Sequence, residues 1–246
     1  MKNQLNKYLR KFGVEIHGVG YLKKLKKQDF LQDAFAVQKE LFGSRKVHTI
    51  LDVGAHMGLT AKKYAQLFPE AKIYAVEPFV PSFETLSANV QDIPAVTPLN
   101  NAVTDKNETV TLHVNKKHDT NFLLASNQAG ISADKLVETV STQDVEGITI
   151  DRLAKEHGLS RIDILKMDIQ GGELNALKGT TNLLPTISLI YTEVYFIQQY
   201  KEQPHFVDIY QYLRGFGFEL QDLYDPYYNG KKLVWGDAIF TGPNFL

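Results

Sequence analysis

The alternation of short apolar runs with helical segments constrains the fold of this chain more than any other feature. Apolar runs of strand length occupy 47–53, 72–76, 95–99, 161–167 and 187–194. Helical patterns lie between and after them, at 57–68, 81–90, 149–158, 172–178 and 206–216. Strands that alternate with helices are typical of a parallel sheet with crossover helices. We therefore predict a doubly wound, Rossmann-like α/β fold, closed by an antiparallel pair at 218–223 and 237–241.

Length and composition narrow the class of protein. The 246 residues suit one large domain, and the formal net charge of -1 carries no signature of a nucleic-acid binder. Because the chain has no cysteine, disulfides, thiolate metal sites and a cysteine nucleophile are excluded. No apolar run has the length of a transmembrane helix or the form of a signal peptide, so we expect a cytoplasmic protein.

Residues 1–45 are predicted to form a helical extension ahead of a main domain at 46–246. The segment 1–28 carries eight Lys or Arg and one acid, Glu15. A solvated helical face explains this charge, and a patch for a membrane surface or an acidic partner is the alternative. A lid over the site and a contact in a homodimer are further candidate roles for these helices.

The first predicted strand runs into a glycine turn at 51–58, in which Gly54 and Gly58 enclose three other residues. Glycines at a strand-to-helix junction let the backbone turn sharply and approach a ligand without a Cβ clash. The free N–H groups of the following helix suit a carboxylate or a phosphate. A dinucleotide-binding turn would need Gly-x-Gly-x-x-Gly, and the missing glycine disfavours a pyrophosphate ligand. A tight turn without any ligand is the alternative.

Two acids follow the ends of predicted strands at the same edge of the sheet. Glu77 lies about 20 residues beyond the glycine turn, where an acid can accept hydrogen bonds from both ribose hydroxyls of an adenosine. Asp168 ends the fourth parallel strand, on the ligand-facing edge beside the switch point. Glu173 follows in the first turn of the next helix, where an acid stabilises the helix dipole, and we predict a structural role for it.

These motifs resemble the FkbM family of methyltransferases, and the resemblance runs over 47–240, most of the chain. Residues 52–60 are similar to the opening turn of the family, and 166–173 are similar to its signature around the fourth strand. Glu77-Pro78 looks like its ribose-binding acid, and 149–153 resembles the segment that leads into the signature. Together these motifs are fairly specific, whereas each one alone would be weak.

The chain departs from the family pattern at two positions. His56 stands where asparagine is usual, and Gln170 stands where glutamate is usual. Both side chains can still form hydrogen bonds. Because glutamine carries no carboxylate, position 170 lacks the acid that could act in metal or proton chemistry.

The resemblance implies a class I methyltransferase sheet of seven strands in the order 3-2-1-4-5-7-6, with S-adenosylmethionine as the cofactor. It also implies methylation of an oxygen, often on a sugar or a natural product, so that the acceptor would be a small molecule with a hydroxyl. Carried over by position, the implied cofactor-binding residues are Asp52, Gly54, Ala55, His56, Gly58, Thr60, Glu77, Pro78, Asn101, Ala102 and Asp168. Among them, Glu77 would bind the ribose, and Asp168 would lie near the amino group and the transferred methyl.

A base near the acceptor hydroxyl would speed the in-line displacement of the methyl group by about 10²–10⁴-fold. The candidates are Asp168, Glu193 at the end of the fifth strand, and His118 in the polar segment 115–134. Asp168 and Glu193 could instead hold a divalent cation that lowers the pKa of the hydroxyl. Aromatic residues of the C-terminal third are candidates for an acceptor pocket, with packing as the alternative role: Tyr195, Phe196, Tyr200, Tyr224, Tyr227, Tyr228 and Trp235.

Other classes of protein share a sheet of this kind. A nicotinamide-dependent oxidoreductase is the main alternative, but the missing glycine and the motif around Asp168 disfavour it. A nucleic-acid methyltransferase would need an Asn- or Asp-Pro-Pro-aromatic run after the fourth strand and a broad basic face. A non-catalytic scaffold that binds the cofactor stays open, because intact motif residues do not prove turnover.

Overall fold

The computed structural model describes residues 33–115, 123, 139–199 and 202–245. The chain divides into two units, Met1–Leu41 and Phe42–Leu246. The described part begins just before helix α1 (Ala34–Phe42). The basic helical segment predicted ahead of it lies outside the described residues, and the predicted domain boundary after residue 45 stays a prediction.

Ten strands form within the described residues, in two sheets. In chain order they are β1 Thr49–Val53, β2 Lys72–Val76, β3 Val96–Leu99, β4 Ala102–Val103, β5 Thr109–Asn115, β6 Thr139–Ile148, β7 Ile164–Met167, β8 Leu189–Tyr195, β9 Glu219–Asn229 and β10 Lys232–Thr241. The helices after α1 are α2 Leu59–Leu67, α3 Val80–Val90, α4 Ile150–Glu156, α5 Glu173–Lys178 and α6 Phe206–Gly215, with a 3-10 turn at Leu184–Thr186. None of the helices in these ranges is long and apolar enough to cross a membrane.

The larger sheet contains seven strands in the order β3-β2-β1-β7-β8-β10-β9. Numbered within this sheet alone, the same order reads 3-2-1-4-5-7-6, because β4, β5 and β6 belong to the second sheet. Strands β1, β2, β3, β7 and β8 are parallel, and β10 runs antiparallel to β8 and β9. The predicted doubly wound sheet of a class I methyltransferase is confirmed.

Burial explains why these central strands form. Ile50 and Leu51 are consecutive in β1 and both are fully buried, so both faces of this strand are covered. The same holds for Ile164 and Leu165 in β7. Parallel strands that are buried on both faces appear in a sequence as continuous apolar runs, which is the pattern that predicted them.

Strand register brings three strand ends to one edge of the sheet. Val53 of β1 lies opposite Val76 of β2 and opposite Met167 of β7. The residues that follow these strands therefore leave the sheet at the same edge, with Glu77 after β2 and Asp168 after β7 on either side of the turn after β1. This edge lies at the point where the strand order reverses around β1, which is where ligands bind in open α/β sheets.

The second sheet has three strands in the order β4-β6-β5 and is absent from the sequence-based prediction. β5 pairs antiparallel with β6, and β4 pairs parallel with the end of β6. In this part of the sequence the alternation typical of a strand is confined to 109–114 and 136–141, whereas β6 continues to Ile148. The rest of β6 does not have the apolar pattern of a strand, because it includes the polar or flexible residues Gln143, Asp144, Glu146 and Gly147.

The closing hairpin is longer than the predicted pair at 218–223 and 237–241. β9 continues to Asn229, and β10 already starts at Lys232, with register shifts along the ladder. Asp225-Pro226 interrupts the strand pattern in the sequence because proline cannot donate to a ladder. A bulge in β9 accommodates these two residues, since three residues of β9 span two of β10 at this point.

The two glycines of the first turn are required by packing within the protein. Gly54 has a φ of +77°, and a Cβ there would lie 1.9 Å from the carbonyl oxygen of Asp168. Gly58 has a φ of +81°, and its Cβ would lie 2.6 Å from Leu86 Cδ1. The close approach that was predicted for a ligand is thus, in the first place, an approach of protein to protein.

Replacement of Gly54 by alanine should destabilise the fold strongly. The left-handed φ costs an L residue roughly 1–2 kcal/mol, and the clash with the Asp168 carbonyl adds about 1–3 kcal/mol, as in overpacked cores. Gly158→Ala is the matched control, because Gly158 has a φ of +66° and no atom within 4 Å of a built Cβ. Urea denaturation should show the larger loss of unfolding free energy for Gly54→Ala, and equal losses in the two variants would contradict the contact.

Candidate active site

A cavity of about 240 Å³ opens at the edge where β1, β2 and β7 end. Most of the predicted cofactor-binding residues line it: Gly54, Ala55, His56, Thr60, Glu77, Pro78, Asn101, Ala102 and Asp168. Two predicted residues do not: Asp52 is fully buried in β1, and Gly58 packs against Leu86. Apolar side chains complete the walls, among them Val103, Leu112, Leu123 and Ile169.

Glu77 is a buried carboxylate in the wall of the cavity. Its Oε2 accepts a hydrogen bond from the backbone N–H of His56 at 2.9 Å, and its Oε1 accepts one from that of Phe79 at 3.0 Å. Burial raises the pKa of Glu77 to about 7, although both N–H groups oppose the shift. Because a carboxylate oxygen has two lone pairs, each oxygen retains the capacity to accept from a further hydroxyl.

Left-handed residues shape both loops that line the cavity. His56 has a φ of 47° and Gln170 a φ of 54°, a region that residues other than glycine rarely adopt, although asparagine, aspartate and histidine do so more often than the rest. These are the two positions at which the chain departs from the family pattern. Histidine and asparagine are both compatible with the backbone at position 56, so this departure from the pattern keeps the turn. Strain of this kind is concentrated at binding sites, where the surrounding structure enforces it.

Lys166 is a residue of the site that the sequence reasoning did not single out. Its Nζ lies 3.1 Å from Asp52 Oδ1, 3.0 Å from the Gly54 carbonyl oxygen and 4.0 Å from Asp168 Oδ2. Burial lowers the pKa of Lys166, but the neighbouring carboxylates outweigh burial and leave this pKa above its usual value. Burial raises the pKa of Asp52, and Lys166 opposes that rise. A lone lysine within the apolar run 162–167 is the sequence signal for this pair.

Gln170 links the two predicted catalytic carboxyls. Its Nε2 donates to Asp168 Oδ1 at 3.0 Å and to Glu193 Oε2 at 3.2 Å. The Tyr195 hydroxyl donates to the same oxygen of Glu193 at 2.5 Å. Burial raises the pKa of Glu193 well above its usual value, and the charge of Asp168 raises it further. Asp168 and Glu193 thus share one network, although only Asp168 lines the cavity.

Asp237 is a further carboxyl that the sequence reasoning missed. It lies opposite Glu193 in the ladder between β8 and β10, and its Oδ2 accepts a hydrogen bond of 2.6 Å from the Tyr191 hydroxyl. Burial raises the pKa of Asp237 to about 6. No local sequence signal could have found it, because the pairing joins two distant segments of the chain.

Glu173 is fully buried and holds the loop that follows β7. Its Oε1 accepts hydrogen bonds from the backbone N–H groups of Ile169 at 3.0 Å and Gly171 at 3.2 Å. Burial raises the pKa of Glu173 to about 7. Glu173 thus has a structural role through these hydrogen bonds, and the predicted effect on the helix dipole stays a prediction.

Several of the predicted acceptor aromatics make contacts within the protein. Tyr195 donates to Glu193, as described above. Phe196 packs on Phe206, with the ring centroids 5.2 Å apart. Tyr224 is buried in β9. For Phe196 and Tyr224, packing therefore accounts for the aromatic side chain.

The other predicted aromatics lie on the closing hairpin or outside the described residues. Tyr227 stacks on Trp235, with the ring centroids 5.2 Å apart and 15° between the ring planes. Tyr228 is exposed. Tyr200 and the candidate base His118 lie outside the described residues, so their predicted roles stay predictions.

A divalent cation is the alternative partner of Asp168 and Glu193. Among the residues that the structure describes, no group of three or more histidine, aspartate or glutamate side chains is arranged to hold a metal ion. The carboxyls of Asp168 and Glu193 instead accept hydrogen bonds from the Gln170 amide.

Comparison with known proteins identifies relatives of this chain. The Methyltransferase FkbM domain matches residues 52–220. The 2-O-methyltransferase NoeI of Sinorhizobium fredii is 27% identical over 150 residues, which cover 58% of this chain and 62% of that protein. The hexuronic acid methyltransferase AglP of Haloferax volcanii is 24% identical over 145 residues, which cover 58% of this chain and 54% of that protein. The matched part therefore spans less than two thirds of the length of these curated relatives.

Solved structures show similar chains at low identity. A SAM dependent methyltransferase from Aquifex aeolicus is 16% identical with a TM-score of 0.45, and the match covers 88% of this chain and 97% of that chain. TrmK of M. capricolum, solved with S-adenosyl-homocysteine, is 11% identical with a TM-score of 0.45, and the match covers 87% and 70%. The family match itself runs from β1 into β9 and covers most of the chain, so this protein belongs to the FkbM family of methyltransferases.

Proposed function

We propose that this protein transfers the methyl group of S-adenosylmethionine to a hydroxyl oxygen of a sugar or another small natural product. The observation that carries the proposal is the buried carboxylate of Glu77 in a cavity at the switch point of the sheet, which Asp168 also lines. The names of two relatives support it, since one is a 2-O-methyltransferase and the other a hexuronic acid methyltransferase.

The chemistry of the cavity fits this cofactor. Each oxygen of Glu77 keeps a lone pair for one of the two ribose hydroxyls. Ala102, Val103 and Leu112 offer an apolar wall for the adenine ring. The Asp168 carboxylate suits the positively charged amino group and sulfur of the methionine part. When bound, S-adenosylmethionine supplies an electrophilic methyl group on a positively charged sulfur.

The contribution of the chain itself is alignment and removal of a proton. Alignment of the acceptor hydroxyl with the methyl group is worth about 7–11 kcal/mol by effective-molarity arguments. We assign the proton acceptor to the linked carboxyls of Asp168 and Glu193, because the Gln170 amide fixes both of them at the end of β7 and β8. Asp168 lines the cavity, whereas Glu193 lies in β8, opposite Asp237 of β10.

Glu77→Gln should weaken the binding of S-adenosylmethionine by roughly 10- to 100-fold, because hydrogen bonds to a charged acceptor contribute about 1.5–3 kcal/mol. Calorimetric titration measures the dissociation constant, with NAD titrated in parallel. Glu70→Gln is the matched control, since this acid is exposed, pairs with Lys46 at the surface and does not line the cavity. Equal affinities of the wild type and Glu77→Gln, or preferential binding of NAD, would contradict the proposal.

The affinity for S-adenosylmethionine should also fall as the pH is lowered through about 7. Burial raises the folded-state pKa of Glu77 to about 7, so below that pH the carboxyl gains a proton and loses acceptor capacity. Binding to the ionised form then requires release of that proton, which weakens the affinity by up to about tenfold per pH unit.

Titration on both sides of neutral pH tests this dependence. The slope should disappear in Glu77→Gln, which has no proton to lose. A slope of the same size in this variant would assign the titration to another group, such as Glu173 or Asp237, whose pKa values also lie at about 7 and about 6.

Glu193→Gln should lower kcat by about 10²–10⁴-fold and leave the affinity for S-adenosylmethionine unchanged, because a base contributes to the chemical step alone. In the wild type the rate should rise with pH, since burial raises the pKa of Glu193 and only the ionised form accepts a proton. Release of S-adenosylhomocysteine in the presence of a hydroxylated sugar measures the rate.

Glu219→Gln serves as the control for Glu193→Gln, because Glu219 is an exposed acid at the start of β9, two strands away from β8 in the sheet. An unchanged kcat in Glu193→Gln would remove this residue from the reaction. Chelation with EDTA in the same assay tests the divalent cation, since activity that is lost and then restored by magnesium would favour the metal over the base.

A further inference from the structure

The closing hairpin extends beyond the edge of the sheet that carries the candidate site. Trp235 of β10 lies opposite Tyr195, the last residue of β8. The three residues of β10 before it, starting at Lys232, therefore continue past the end of β8, and β9 follows them as far as Asn229. The tip of the hairpin projects from the carboxyl edge of the sheet, on which the cavity also opens.

Side chains of the hairpin and of β8 share one face at this edge. Glu193 and Tyr195 alternate along β8, and their direct partners in β10 are Asp237 and Trp235. Residues that lie directly opposite in an antiparallel pair project from the same face. Trp235 is two residues from Asp237, a separation of roughly 7 Å along a strand. Gln170 contacts Glu193 and also lines the cavity, so this face adjoins the proposed cofactor site.

The bulge in β9 sets a second aromatic ring against Trp235. Tyr224 lies opposite Asp237, and Tyr227 rather than Pro226 lies opposite Trp235, because β9 accommodates an extra residue here. Asp225 in the bulge has a left-handed φ of 44°. Tyr227 stacks on Trp235 and is still 49% exposed, so an aromatic surface faces solvent at the tip. Bulges beside active sites commonly re-aim side chains in this way.

We propose that the acceptor is an uncharged sugar ring that packs on the Tyr227–Trp235 pair and whose hydroxyls donate hydrogen bonds to Asp237 and Glu193. A sugar ring has an apolar face of C–H groups and a rim of hydroxyls. The aromatic pair would pack against the apolar face of the sugar. The carboxyls would accept hydrogen bonds from its hydroxyls, because a carboxylate is an acceptor of hydrogen bonds. This inference rests on the proposed function and names the substrate class of the same site.

Charge argues for an uncharged sugar. The carboxyl of Asp237 interacts electrostatically with the carboxyls of Asp168 and Asp225. Lys166 is a cation that also acts on Asp237, but its ammonium group lies beside Asp52. A carboxylate on the sugar would therefore meet like charges, which costs binding free energy. A uronic acid, the acceptor class named for the relative from Haloferax volcanii, would bind poorly to this arrangement.

The fluorescence of Trp235 reports on this contact directly, because Trp235 is the only tryptophan of the chain. The experiment titrates methyl glucoside, methyl galactoside and methyl glucuronoside into the protein, with and without S-adenosylhomocysteine. We expect a saturable change in emission with a neutral glycoside and an affinity for the glucuronoside that is at least about tenfold weaker.

Tyr227→Ala should weaken the binding of the neutral glycoside by about 3- to 10-fold in the same titration, since the aromatic contact is lost. Tyr228→Ala is the matched control, because Tyr228 is adjacent and 53% exposed but lies opposite Leu233 instead of Trp235. It should change the affinity by less than about twofold. In turnover assays Tyr227→Ala should raise the KM for the acceptor and leave kcat and cofactor affinity unchanged.

The outcomes separate this inference from the proposed function. Methyl transfer to a sugar without any change in Trp235 emission, or with equal effects of the two tyrosine variants, would overturn sugar binding on the Tyr227–Trp235 pair. It would leave the methyltransferase reaction intact. Equal or tighter binding of the glucuronoside would overturn the choice of an uncharged sugar. A saturable signal with neutral glycosides but no methyl transfer would support sugar binding on the Tyr227–Trp235 pair and reject the proposed function.

Discussion

A buried ammonium group, that of Lys166, holds together the edge of the sheet on which the candidate site depends. It reaches from β7 to the Asp52 carboxylate of β1 and to the carbonyl oxygen of Gly54, where the glycine turn begins. A buried charge without a partner costs several kcal/mol, so the pair favours the register that sets these strand ends level. The same ammonium lies 4.0 Å from Asp168, which relates the turn after β1 to the acid after β7.

The two loops at this edge are ordered by carboxylates of the protein itself. Glu77 accepts from the backbone of His56, and Glu173 accepts from the backbone on either side of Gln170. Both loops contain a left-handed residue, and these hydrogen bonds help to hold that strained backbone in place. A site that is ordered in advance loses less conformational entropy when a ligand binds. Glu77 thus shapes its loop and still offers lone pairs to the cavity.

The sequence predicted the central sheet well because strands buried on both faces appear as continuous apolar runs, and β2 has the bounds predicted for it. It did not predict the end of β6 or the length of the closing hairpin, since polar and half-exposed strands lack that pattern. In the site, Glu77 and Asp168 could be found because they follow strand ends. Lys166 was visible as a lysine within an apolar run, whereas Asp237 reaches Glu193 only through pairing between distant strands.

Transfer of a labelled methyl group is the decisive test of the proposed reaction. The purified protein is incubated with S-adenosylmethionine that carries an isotopic label in its methyl group, together with neutral methyl glycosides, and the products are analysed by mass spectrometry. We expect a glycoside that carries the label on an oxygen, formed in equal amount with S-adenosylhomocysteine, and neither product in Glu77→Ala. Binding of the cofactor without any labelled glycoside would contradict sugar methylation, and failure to bind the cofactor would contradict the assignment of the cavity.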